Sequence, residues 1–208
     1  MRGSAVGQCR QSRVLSLLLL SLLVASRTLQ AHTGHGDGGG GLGYGFLHPL
    51  TGVDHVIAMV AVGLWGAQLG GVLIWLLPVV FPLMMAGGAV LGVRGIALPA
   101  PEFFIALSGV ALGVAVLSAW RATRWAALIL VGVFAVFHGH AHGSELPSAA
   151  SPLAFGVGFV VGTGLLHLCG ILIGLVKDWQ PFGGLLIRAS GAVIALIGCY
   201  FAYQAVAV

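Results

Sequence analysis

Two short stretches of an otherwise apolar chain carry side chains that can hold a metal ion. The first is His48-Pro49-Leu50-Thr51-Gly52-Val53-Asp54-His55-Val56-Ile57-Ala58-Met59. Pro49 suits the first position of a helix, with His48 at the cap. Helical spacing from there sets His48, His55 and Met59 along one face, with Asp54 about 100° round from His55. The second stretch is Phe137-His138-Gly139-His140-Ala141-His142-Gly143-Ser144-Glu145, in which His138, His142 and Glu145 share a face while the helix lasts.

Imidazole nitrogen combined with carboxylate suits Ni²⁺, Co²⁺, Cu²⁺, Zn²⁺ or Fe²⁺, whereas Mg²⁺ and Ca²⁺ prefer oxygen throughout. Soft Cu⁺ is disfavoured, because Cys169 and Cys199 are isolated and no methionine pairs with them. Residue types alone therefore define a divalent transition metal and go no further. Asp54 is as good a direct ligand as it is an orienter of His55, since the latter role needs another helix turn to intervene. Each cluster also has a plain structural reading. His138, His140 and His142 would make an interfacial histidine-rich loop, His48 a helix cap, and Asp54 with His55 a buried hydrogen-bonded pair.

The elements that must position these groups follow from composition. Of 208 residues, 59% are hydrophobic and 7% charged, against roughly 25% charged in soluble chains. So few polar groups cannot cover a folded surface, and lipid must do so. Thirty-four glycines without a three-residue period and three cysteines exclude collagen and a disulfide scaffold. The net charge of +4 comes largely from Arg2, Arg10, Arg13 and Arg27, so it points to no nucleic-acid partner. Those arginines flank the apolar run Val14 to Ala25, which is followed by small-residue sites; residues 1–31 read as a cleaved signal peptide. Cleavage after Ala31 leaves a tail, residues 32–45, whose His32 and His35 attract metal mildly or serve only as a solvated linker.

Beyond residue 45 the apolar segments predict six transmembrane helices, near 46–67, 71–92, 102–119, 125–142, 153–176 and 185–206, forming one all-α, polytopic bundle over 46–208. Arg121, Arg124, Lys177 and Arg188 fall on one side and Arg94 on the other, which places both mature termini in the periplasm. The starts of the first span and the end of the fourth then share the outer side, where the two histidine stretches can meet. Glycines four apart (Gly66 and Gly70, Gly88 and Gly92, Gly109 and Gly113, Gly158 and Gly162, Gly170 and Gly174) let helices approach closely. Pro78 and Pro82 read as a packing kink in preference to a gate. Trp65, Trp120, Trp125 and Trp179 read as interfacial belt residues and Arg188 as an inner-face anchor. His167, four after Thr163, is either a pathway ligand or an interior histidine with its hydrogen bonds made.

With these residues assembled, the chain resembles the HupE/UreJ family. The resemblance rests on His48-Pro49-x-x-Gly52-x-Asp54-His55-x-x-Ala58-Met59-x-Ala61-Val62-Gly63 with Trp65 and Gln68, on Phe137-His138-Gly139-x-Ala141-His142-Gly143-x-Glu145-x-Pro147, and on Gly158-Phe159 through Thr163, Leu166-His167 and Gly170. It runs from about His32 to the C-terminus. It implies six-span membrane proteins with a signal peptide that act as secondary permeases for nickel or cobalt, associated with hydrogenase or urease maturation proteins. The Asp54-His55 pair is also similar to the His-x4-Asp-His signature of the wider nickel/cobalt transporters, although here five residues separate His48 from Asp54. Gly43-x-Gly45-Phe46-Leu47-His48 faintly echoes Gly162-x-Gly164-Leu165-Leu166-His167, as an internal duplication would.

The expected function is uptake of Ni²⁺, or Co²⁺, as transported ion across the cytoplasmic membrane, without a prosthetic group and without enzymatic activity. No nucleotide-binding motif is present, so an ion gradient, the membrane potential or trapping of the metal inside must drive it. The rival readings are an intramembrane metal-dependent hydrolase, for which three histidines and a carboxylate also suffice, and a metal-sensing or maturation accessory subunit.

Overall fold

The computed structural model describes residues 41–144, 151–176 and 182–207. The signal segment, His32, His35, Glu145, Lys177 and Trp179 lie outside the described residues. Within them all regular structure is helical: α1 (Leu42–Thr51), α2 (Val53–Leu69), α3 (Leu73–Val93), α4 (Pro101–Ser118), α5 (Arg124–Ser144), α6 (Pro152–Leu175) and α7 (Gly183–Ala207). The last five are each long and apolar enough to cross a membrane, and each lies within two residues of its expected ends. Their outward faces carry Trp75, Leu83, Ile129, Leu172, Leu196 and Tyr203, all exposed, as lipid requires.

The segment expected to form the first span departs from the expectation of one helix near 46–67. It is a pair, α1 and α2, bent by 86°, the shape of a broken span or a re-entrant loop. Pro49 lies in the last turn of α1, not at a helix start, and His48 therefore lies near a helix end. Gly52 is extended (φ −91°, ψ 117°) and separates the two helices. Thr51 Oγ1 closes α1 by donating to the His48 carbonyl at 2.7 Å, supplying one of the partners that a helix C-terminus lacks. His48 and His55 thus sit on different helices, and the common helical face expected for them does not exist.

α2 is the centre of the bundle. From Ala58 to Gln68 nearly every residue is buried, which a helix apolar all round requires. Glycines set the remaining contacts by letting backbones touch. A Cβ on Gly88 or Gly92 of α3 would strike the carbonyls of Val136 or His140 on α5, and one on Gly139 or Gly143 would strike those of Met85 or Ala89 in return. The residue numbers rise together, so α3 and α5 run parallel. Gly170 meets Val60 and Gly63 in the same way, pairing α6 with α2, while Gly113 and Gly191 bring α4 and α7 together antiparallel. Gly70 has another use: at φ 75° it ends α2, where a Cβ would be strained.

Two smaller expectations need correction or refinement. Trp65 is fully buried, stacks on Trp120 with ring centroids 5.6 Å apart and donates to the Trp120 carbonyl at 3.1 Å. It is a core residue, because α2 is surrounded by helices; Trp120 and Trp125 are exposed. Arg188 Nε donates to the Leu117 carbonyl at 2.7 Å, tying α7 to the last turn of α4, where a cation is favoured.

Candidate metal centre

The start of α2, the end of α5 and the start of α6 gather at one end of the bundle, with α1 folded across α6. Gly45 makes this possible by lying on the Phe155 backbone, and Gly158 by lying on Leu42 and Phe46. Four imidazoles converge there. The His55 ring is 5.0 Å from that of His138 and 4.4 Å from that of His142, centroid to centroid, and His48 is 4.8 Å from His142.

Each of three rings is held by Nδ1 and leaves Nε2 bare. His55 Nδ1 donates to Asp54 Oδ1 at 3.0 Å. His138 Nδ1 donates to the Phe134 carbonyl one turn back at 2.9 Å. His142 Nδ1 lies 3.0 Å from His48 Nε2. The Nε2 atoms of His55, His138 and His142 are buried and have no hydrogen-bond partner among the described residues. Buried polar atoms are nearly always paired, and a histidine oriented through one nitrogen by a carboxylate or carbonyl is the usual state of a metal ligand. Among the described residues no three His, Cys, Asp or Glu side chains stand ready around one ion: His138 meets His55 and His48 meets His142 edge to face, while His55 and His142 are tilted by 52°, so closing on an ion requires the rings to turn.

Asp54 departs from the expectation that orienting His55 would need an intervening turn. Its carboxylate folds back onto the ring of the very next residue, in the space a Cβ on Gly52 would take. The remaining expected residues divide. His140 points away, its Nε2 donating to the Ile96 carbonyl at 2.7 Å. Met59, one turn beyond His55, is fully buried in the apolar core, which accounts for it without the imidazoles. His167 lies deeper and has no ring contact with the cluster, but Phe81 packs on both it and His138. Sequence spacing missed the aromatic collar: Tyr44, Phe155 and Phe159 all pack on His48, and Phe159 also packs on His142. Two of its pairs, Tyr44 with His48 and Phe155 with Phe159, do have the four-residue spacing of one helix face. A cavity of about 400 Å³ between α3, α5 and α6 reaches His142, with Arg94 among its lining residues.

Fold and site together define a multi-pass helical membrane protein with a buried imidazole cluster near one end. A family profile described as HupE / UreJ protein matches residues 19–201. The chain is also 41% identical over 180 residues, 86% of its own length and 92% of the relative's, to Protein HupE of Rhizobium leguminosarum bv. viciae. It belongs to the HupE/UreJ family. No solved structure matches it.

Proposed function

We propose that the protein is a secondary permease that takes up a divalent transition metal ion, Ni²⁺ or Co²⁺, across the cytoplasmic membrane, with both mature termini in the periplasm. The observation that carries this reading is the set of three buried Nε2 atoms on His55, His138 and His142, each ring held from behind through Nδ1. Imidazole nitrogens of this kind favour nickel and cobalt over magnesium or calcium. The choice of nickel or cobalt rests on family membership, as does delivery to the maturation proteins of a nickel enzyme. Asp54 supplies the negative charge that offsets a divalent cation in a low-dielectric site. The membrane potential contributes about 4.6 kcal/mol for two charges at 100 mV, enough for concentrative uptake.

The test is accumulation of ⁶³Ni²⁺ in cells lacking their own nickel importers, comparing the wild type with Asp54→Ala and His55→Ala, with excess Co²⁺ as competitor. Uptake by the wild type that both substitutions abolish supports the permease. A correctly inserted wild type that takes up neither metal overturns it. Loss of a hydrolytic turnover with uptake intact would be the result for an enzyme.

A further inference from the structure

Deeper in the bundle lies a second polar place that the histidine cluster does not use. Both ring nitrogens of His167 are buried without a hydrogen-bond partner among the described residues, and so is Thr163 Oγ1, one turn away on the same face of α6. His167 is 1% exposed and Thr163 is fully buried. Buried histidine nitrogens are for the most part paired, and His167 has neither of its own paired among the described residues. At 1.5 Å per residue, His138 lies about 9 Å inside the histidine end of α5, and His167 about 12 Å inside the opposite end of α6.

One ring, that of Phe81, packs against both histidines. It meets His138 edge-on at 5.5 Å and His167 edge-on at 5.2 Å, centroid to centroid. It is fully buried, and it sits between Pro78 and Pro82, neither of which has an N–H to give the helix. The turn that carries the ring thus lacks one backbone hydrogen bond, from position 82 to the Pro78 carbonyl, and the turn before it lacks another, from position 78 to the Ile74 carbonyl, which makes this the part of α3 best able to yield. Beyond His167 towards the opposite end, Gln68 Oε1 is also buried and unpartnered, while its Nε2 is fixed on the Val116 carbonyl at 3.0 Å.

We propose that His167 and Thr163 form a second station for the divalent ion, partitioned from the His55, His138 and His142 site by the Phe81 ring. This rests on the permease reading and adds to it where the ion goes after capture. The ion trades one imidazole set for a nitrogen and a hydroxyl oxygen, keeping water as its other ligands, when Phe81 moves aside. Gln68 Oε1 offers the next oxygen on the way out.

The experiment uses the purified full chain in proteoliposomes, reading ⁶³Ni²⁺ uptake and, separately, Co²⁺ binding by its absorption spectrum. His167→Leu keeps Co²⁺ binding at the histidine end and lowers uptake at least about tenfold, the least that loss of even a group behind a ligand costs. His167→Cys retains uptake and becomes at least about tenfold more sensitive to competition by Cd²⁺, because thiolate selects the softer ion; a packing role would not move metal preference. Wild-type uptake by His167→Leu, or unchanged Cd²⁺ competition in His167→Cys, overturns the second station while leaving the permease standing. Should His167→Leu fail to insert, the cysteine variant alone decides. Wild-type liposomes that bind Co²⁺ but accumulate no Ni²⁺ overturn the permease, and the station with it.

Discussion

His48 Nε2 and His142 Nδ1 lie 3.0 Å apart, joining two residues 94 positions distant in the chain. For His142 to present a bare Nε2, its Nδ1 must carry the proton and donate it to His48. His48 is then a holder of the site and not one of its three open nitrogens. His48→Ala leaves the His142 ring free to turn, and Ni²⁺ affinity is expected to fall about 10- to 100-fold. His48→Gln keeps an acceptor at similar reach and recovers part of the loss. Titration of the purified chain with Ni²⁺ measures both; equal affinity in wild type and His48→Ala would contradict the arrangement.

Asp54 admits a similar separation of roles. Its Oδ1 accepts from His55 Nδ1, so Asp54→Asn, whose amide oxygen also accepts, is expected to keep the ring in place and lose only the charge. Its uptake should fall between that of the wild type and that of Asp54→Ala. A carboxylate that ligated the ion directly would make the two variants equally inactive, and a kinetic comparison at several Ni²⁺ concentrations distinguishes these cases.

Gly52 is needed for room and not for its backbone angles, which any residue can adopt. A Cβ there would stand 2.9 Å from Asp54 Oδ1 and 3.0 Å from His55 Nδ1. Gly52→Ala is therefore expected to drive the carboxylate off the ring and cut uptake, with expression and thermal midpoint close to wild type. A variant that transports normally would show that the pair tolerates displacement.

How far the sequence disclosed this site depends on the kind of contact. The five long spans were legible because lipid demands uninterrupted apolar helices and the loops between them carry glycine, proline or charge. The meeting of both histidine stretches at one end followed from counting spans. The break at Gly52 was not legible, since Pro49 is as compatible with a helix start as with a last turn, and the two placements give His48 opposite neighbours. The Phe134 carbonyl on His138 is a four-residue relation within one helix and was readable in principle. The collar of Phe155 and Phe159 around His48 and His142, and the diversion of His140 to Ile96, depend on how α6 and the segment after α3 seat against α5. Nothing in residue spacing sets that.

The glycines offer a stability test in which neighbours should act with opposite sign. A Cβ on Gly88 would collide with the Val136 backbone on α5, whereas one on Gly87, the adjacent residue of the same helix, would meet nothing within 4 Å. The α3–α5 contact carries His138 and His142, and two touching backbones cannot yield as a flexible side chain can. Gly88→Ala is expected to destabilise by about 1–3 kcal/mol, the usual cost of overpacking, and to disturb metal binding. Gly87→Ala should gain up to about 1 kcal/mol from helix propensity and leave the metal site unchanged. Thermal melting of both variants in detergent, alongside Ni²⁺ titration, reads the difference; equal midpoints would mean that α3 and α5 are not in backbone contact at Gly88.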